Sequence, residues 1–196
     1  ELVLRCKAGG YRALCLTIDT PVFGNRERDL VNGMTIPPRI GMKQLRHYLS
    51  CPAWCCDALL RHDFQLANIT HRADLGGLGP FRLIDFLNQQ CDRGVTCDDV
   101  VWLRGIWDGP LVIKGVLTVD DAQRAVDAGA TALMISNHGG RQLDAVAAPV
   151  SCVSEIRRGV GEAIELIVDG GIRRGTHILK ALALGARAVF FGRPQV

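Results

Sequence analysis

The sequence predicts an α/β protein with a parallel sheet, and within that class a (β/α)8 TIM barrel represented by its C-terminal portion, about strands 4 to 8. Three observations carry this expectation. Five short apolar runs each turn polar at their ends: Arg12–Asp19, Leu111–Gly115, Thr131–Ser136, Glu165–Gly170 and Ala188–Gly192. Runs that are apolar nearly throughout fit parallel strands buried on both faces. Helical patterns separate most of them, and β-α-β-α alternation implies right-handed crossovers in one sheet. Finally, the runs deliver Asp19, Lys114, Ser136, Asp169 and Arg193 to their carboxyl ends. Five such groups on one rim suit a barrel mouth better than the single crevice of a doubly wound sheet.

The helices follow from their caps. Residues 1–8 read as the tail of a helix stopped by Gly9-Gly10. Thr96-Cys97-Asp98-Asp99 opens a helix through Trp107, and Thr118-Val119-Asp120-Asp121 opens another to Ala128-Gly129. Both have a hydroxyl N-cap with an acid three residues on. A further helix is expected over Val150–Arg158, and the last covers Gly175–Leu184 with Gly185 as its C-terminal stop.

A complete barrel needs about 250 residues, and this chain has 196. It begins at Glu1 without an initiator Met and ends soon after the fifth run. The expectation is one partial barrel domain over 1–196, lacking roughly three strands of the usual eight. Such a piece would expose two unpaired sheet edges and would be poorly soluble or dimerise.

Between the first run and the next helix, Gly24–Val95 is far longer than an ordinary βα loop of about 2–6 residues. The expected insertion covers about 39–95. Within it, Arg39–Phe64 mixes Leu45, Tyr48, Leu49, Trp54, Leu59 and Leu60 with Arg39, Lys43, Arg46 and Arg61. That composition fits either subunit packing or an interfacial segment on a membrane.

Composition removes several classes. Hydrophobic residues make up 48% and charged residues 22%, which excludes low-complexity disorder, collagen and coiled coil. A net charge of +3 is too small to argue for nucleic acid. No apolar run approaches the roughly 18 residues of a spanning helix. Eight cysteines lie at positions 6, 15, 51, 55, 56, 91, 97 and 152, without a C-x-x-C. Cys51, Cys55 and Cys56, with His47 and His62 nearby, fit no closed zinc spacing. Free thiols and no metal are expected.

The densest chemical signal is Ser136-Asn137-His138-Gly139-Gly140-Arg141-Gln142-Leu143-Asp144, directly after a strand. His138 can take a proton near neutral pH. Arg141 can grip a carboxylate bidentately. Alternate strand residues share a face, so Thr17 and Asp19 point together, and Asp19 can orient and charge-stabilise His138. Lys114 at a strand end needs an anionic partner, for which a reduced flavin or a phosphate would serve. Asp169-Gly170-Gly171-Ile172-Arg173-Arg174-Gly175 and Gly192-Arg193 form two Gly-Arg loops after consecutive strands, where barrels hold phosphate. These loops alone fit another phosphate-binding barrel enzyme, such as an isomerase or a nucleotide dehydrogenase, although that leaves His138 and Arg141 idle. A catalytically inactive truncated piece is the other alternative.

Leu16-Thr17-Ile18-Asp19-Thr20-Pro21, Gly24-Asn25-Arg26-Glu27-Arg28-Asp29, Val112-Ile113-Lys114-Gly115, the Ser136–Asp144 run and Asp169–Gly175 together resemble the FMN-dependent α-hydroxy acid dehydrogenase/oxidase family. The resemblance covers nearly the whole chain in order. Arg26–Met34 and Gln65-Leu66-Ala67-Asn68 are most similar to its (S)-mandelate and respiratory L-lactate dehydrogenase branch. It implies a barrel with FMN at its mouth and oxidation of an L-2-hydroxy acid, lactate before mandelate, to the 2-keto acid. His138 is implied as the base, Asp19 as its stabiliser and Arg141 as the carboxylate clamp assisted by Arg26. Either carbanion or hydride transfer is compatible with these groups. Lys114 is implied beside the flavin ring, with Thr17 and Ser136 as further flavin contacts. Asp169, Gly170, Gly171, Arg173, Gly192 and Arg193 are implied at the ribityl and phosphate end.

The resemblance also implies a quinone, a cytochrome or oxygen as electron acceptor, and a homo-oligomer. It implies a cytoplasmic location, peripheral on the inner face of the plasma membrane where Arg39–Phe64 makes contact. The family's early strands, which supply a substrate-contacting tyrosine and several flavin-ring contacts, have no counterpart in these 196 residues.

Overall fold

The computed structural model describes residues 1–21, 24, 27–32, 41–60 and 93–192. The chain divides into two compact units, residues 1–25 with 93–196, and residues 26–92.

The first unit alternates strands and helices. Helix α1 (Leu2–Ala8) precedes β1 (Leu14–Thr17). In the second unit, α2 (Glu27–Val31), α3 (Met42–Leu49) and α4 (Pro52–Leu60) follow. The first unit resumes with α5 (Cys97–Ile106), β2 (Leu111–Val116), α6 (Val119–Asp127) and β3 (Ala132–Ile135). It continues through α7 (Pro149–Val160), β4 (Glu165–Val168), α8 (Gly175–Ala183) and β5 (Ala188–Val189).

All five strands are parallel, in the spatial order β1-β2-β3-β4-β5. Each apolar run therefore becomes a strand, and each strand neighbours the next in sequence. Four of the strands are shorter than their runs, while β2 extends one residue further, to Val116; β5 keeps only Ala188 and Val189 of its run.

The registers align Leu16, Ile113, Leu133 and Leu166 across one face and Thr17, Lys114, Met134 and Ile167 across the other. The first face meets the helices. Leu111, Ile113, Leu133, Ile135, Leu166 and Val168 share a buried core with Ala122, Ala125, Val153, Ile156 and Ala181. Each fully buried Leu or Ile there contributes about 1.5–3 kcal/mol. The expectation of strands buried on both sides holds only in part on the second face, where Ala132 and Met134 are buried, Val112, Lys114 and Ile167 are half-buried and Glu165 is exposed; the core cluster draws its strand residues from the helix-facing side.

The caps behave as their residue types require. Thr118 Oγ1 accepts the Asp121 N–H at 3.1 Å. Pro149 starts α7, where the missing N–H costs nothing. At α5 the Asp99 carboxylate accepts the Thr96 backbone N–H at 2.8 Å and its hydroxyl at 3.0 Å.

Within the second unit, the Tyr48 and Trp54 rings stack with centroids 5.4 Å apart. Cys55 Sγ donates to the Tyr48 carbonyl, and Gln44 Nε2 to the Asn32 carbonyl. Leu49, Trp54 and Leu60 remain exposed. Residues 39–40 and 61–92 of the expected insertion, including Arg39, Arg61 and His62, lie outside the described residues. The described cysteines are free thiols.

The Thr96 backbone N–H, and then its hydroxyl, hold the Asp99 carboxyl below its usual range. A lowered folded value means that this stabilisation is full above the ordinary Asp value of about 3.9 and fades as pH falls through the lower one. Asp99→Ala should melt below the parent near neutral pH, with the gap narrowing in that acid window. Thermal melts across pH check this; a gap independent of pH would remove the charge from the account.

Candidate active site

The rim is assembled from the carboxyl ends of β1 to β4. Pairing between β1 and β2 continues one step beyond the strand, with the Ile18 N–H donating to the Lys114 carbonyl at 2.9 Å. Asp19 then meets the end of β2 at Gly115, where the register shifts and φ is +105°. A Cβ built on Gly115 would stand 2.5 Å from Asp19 Cβ. The absent side chain lets Asp19 lie against the strand end, and no L side chain readily adopts that backbone conformation.

Asp19 Oδ1 lies 2.9 Å from His138 Nδ1. A carboxylate oxygen accepts, so in the neutral imidazole this contact selects the Nδ1–H tautomer, in which Nε2 is the acceptor. His138 itself has φ +56°, uncommon for a residue other than glycine. Its backbone N–H donates to Ser136 Oγ at 3.1 Å. The following turn is closed by Gly140 N–H, which donates to the Asn137 carbonyl at 3.0 Å and to Asn137 Oδ1 at 3.3 Å.

Lys114 joins the same cluster. Its Nζ donates to Ser136 Oγ at 3.1 Å and sits 3.8 Å from both Asp19 Oδ2 and Asp169 Oδ2. Asp19, His138, Ser136, Lys114 and Asp169 thus form one connected set, largely withdrawn from solvent. Cys15 adjoins it: the residue is exposed by surface area, yet the surrounding protein partly desolvates its thiol and pushes it above the ordinary value, Lys114 opposes, and Asp169 and Asp19 add to the rise.

A cavity of about 440 Å³ opens beside this set, lined by Lys114, His138, Asp169, the Gly170–Arg173 loop and Phe190–Gly192. Gly170 and Gly171 have φ of +87° and +73°, a turn that glycine enters without steric cost. A second cavity of about 590 Å³ shares that loop and reaches Asn137, His177 and Lys180. Asp169 Oδ1 is buried without a hydrogen-bond partner among the described residues. An acceptor left in this way fits a ligand that brings hydroxyl donors. Together with the Lys114 ammonium and the glycine turn, it suits a polyol-phosphate group such as the ribityl phosphate of FMN.

The other expected site residues are less closely joined. Thr17 ends β1 in register with Lys114. Arg141 and Arg173 are exposed. Among the described residues the Arg141 guanidinium has no partner, while the Arg173 backbone N–H donates to His177 Nδ1 at 3.3 Å. Arg26 and Arg193 lie outside the described residues. Sequence reasoning passed over Gly115, Asn137, His177 and the Gly24–Gln142 link. Gly24 N–H donates to Gln142 Oε1 at 2.8 Å, and a Cβ on Gly24 would overlap the Arg141 carbonyl. Gly24 and Gln142 both stand in the quoted motifs, but only folding shows that they touch.

The FMN-dependent dehydrogenase family model matches residues 1–196. The chain belongs to this family. It is 44% identical over 193 residues to an L-lactate oxidase of Nostoc sp., covering 98% of this chain and 47% of that protein. It is 38% identical over 196 residues to 2-hydroxyacid oxidase 1 of Mus musculus, covering 100% of this chain and 48% of that protein. The crystal structure of the monotopic membrane protein (S)-mandelate dehydrogenase superposes with a TM-score of 0.88 at 36% identity, covering 98% of this chain and 50% of that one. The chain therefore spans about half the length of the FMN-dependent dehydrogenase relatives it matches. These findings bear out the family resemblance and its cofactor, and they support an α/β fold on a parallel sheet.

Gly115→Ala should destabilise the folded chain by more than about 1 kcal/mol, since a positive-φ site is given a side chain. Its Cβ also displaces Asp19. A chemical-denaturation midpoint equal to that of the parent would contradict the packing described here.

Proposed function

We propose that the protein carrying this chain oxidises an L-2-hydroxy acid, L-lactate first and (S)-mandelate next, to the 2-keto acid with FMN. The observation that carries this reading is the 2.9 Å Asp19–His138 contact at a cavity shared with Lys114 and a glycine-rich loop. The chain is read as about strands 4 to 8 of a (β/α)8 barrel, with 39–95 as its insertion; the likeness to (S)-mandelate dehydrogenase supports this.

FMN, when bound, supplies the two-electron acceptor. The protein's residues do the rest. Arg141 and Arg26 hold the substrate carboxylate as a bidentate pair of cations. His138 Nε2 takes a proton from the substrate, and Asp19 stabilises the resulting imidazolium across its Nδ1–H. Asp19 and Asp169 carry one more charge than Lys114 neutralises, so a proton on His138 brings the cluster to balance. With FMN bound, Lys114 would place a positive charge by its ring, Thr17 and Ser136 would contact the ring, and Asp169, Gly170, Gly171, Arg173, Gly192 and Arg193 would hold the ribityl and phosphate end. A quinone, a cytochrome or oxygen would be the final electron acceptor, and the assembly would be a homo-oligomer.

His138→Ala should keep FMN bound but stop the anaerobic bleaching of flavin absorbance by L-lactate or (S)-mandelate, with a loss of at least ~10²-fold. An unchanged rate would refute His138 as the base.

The second part of the reading concerns location: cytoplasmic, peripheral on the inner face of the plasma membrane. Among the described residues no helix is long and apolar enough to cross a membrane. The exposed Leu45, Leu49, Trp54 and Leu60 beside the exposed Arg46 support surface contact instead. Deleting Arg39–Phe64 should move the protein from the membrane fraction to the supernatant; retention in the pellet would count against this segment as the anchor.

A further inference from the structure

We infer that Ser136 is a positioning residue that holds the base and the flavin-side cation in one register, through the two hydrogen bonds its hydroxyl oxygen accepts. This inference rests on the proposed role of His138, and it gives Ser136 a task beyond lining the flavin.

Ser136 is fully buried at 0% exposure, the one buried polar residue among the described core positions. A buried hydroxyl is retained at such a site only when its bonds are made. Both bonds of its oxygen go to parts of the rim. The first comes from the His138 N–H at 3.1 Å. It is a serine oxygen bound to the amide two residues on, a local turn that competes with regular structure. Here it sustains the left-handed backbone of His138, φ +56°. That backbone in turn aims the imidazole at Asp19.

The second bond comes from Lys114 Nζ at 3.1 Å. The two carboxylates flanking Lys114 stand at 3.8 Å, beyond hydrogen-bond length. Ser136 is therefore the hydrogen-bond acceptor that keeps the ammonium midway between Asp19 and Asp169. Without it, the ammonium would close on one carboxylate. If that were Asp19, it would compete with His138 for the same charge. One oxygen thus fixes the imidazole from the backbone side and stops Lys114 from capturing its partner.

The test uses the full-length FMN-loaded enzyme. Ser136→Ala removes the acceptor, Ser136→Cys replaces it with a weak one of similar volume, and Ser136→Thr retains it. Two readouts are taken: the rate of anaerobic flavin bleaching at saturating L-lactate and saturating FMN, and the downfield proton resonance of His138 Nδ1–H in histidine-labelled protein. That resonance is assigned by its disappearance in His138→Ala.

Ala and Cys should slow bleaching about tenfold or more while KM stays within about threefold, as expected for lost transition-state geometry rather than uniform binding. Both should lose the resonance, and Thr should recover most of the rate and the resonance. The inference fails if Ala and Cys keep the resonance and the rate. It also fails if they only weaken FMN binding, so that saturating FMN restores the rate with the resonance intact. Normal bleaching by His138→Ala would instead defeat the underlying assignment of the base, a separate result.

Discussion

Because Gly115 carries no Cβ, the chain leaving β1 can pass directly against the end of β2, and Asp19 fills the space a side chain would need. The contacts of the rim follow from that approach. Asp19 Oδ1 reaches His138 on the far side of β2, and Asp19 Oδ2 faces Lys114. The bulge that reorients β2 at Gly115 is also what separates Lys114 from Val116 in the pairing with β3. Bulges beside functional sites commonly re-aim a side chain in this way. Here the displaced register lets a lysine, an aspartate and a histidine from three different strand ends share a small volume.

Electrostatics gives that volume its stakes. Lys114 and Asp19 keep only 17% and 13% of their side-chain exposure, so the attraction between them is screened less than at a surface. The return for burying such charges depends on completing their hydrogen bonds, and an incomplete set is costly. Asp19 Oδ2 and Asp169 Oδ1 have no hydrogen-bond partner among the described residues. Both atoms are acceptors available to donors of a bound group. A site of this kind gains from a ligand that brings donors, which is the behaviour a polyol-bearing cofactor requires.

The strands could be read from the chain because each is a near-continuous apolar run ended by a polar rim residue, and the sheet order follows their sequence order. Thr96, Thr118 and Pro149 mark their helices by local chemistry, which needs no knowledge of the fold. The pairing of Asp19 with His138 could be anticipated from residue type and strand alternation. The uneven burial of the second sheet face could not, because it depends on what packs there and not on the run itself. Gly115 and Gly24 were equally hidden. Each matters for a neighbour far away in sequence, Asp19 for one and Arg141 for the other. Ser136 reads from the sequence as a flavin contact, but its acceptance of both the Lys114 ammonium and the His138 N–H depends on the folded rim.

Asp19 and His138 are separated by 119 positions along the chain. The β2-α6-β3 and β3-α7-β4 units close over far shorter stretches, so their contacts form at a lower entropic cost. The strand that carries Asp19 must cross the long 26–92 stretch before it can dock on β2. The Asp19–His138 contact therefore carries a larger loop-closure cost than the neighbouring strand pairings, and that cost grows only slowly with the length of the 26–92 stretch.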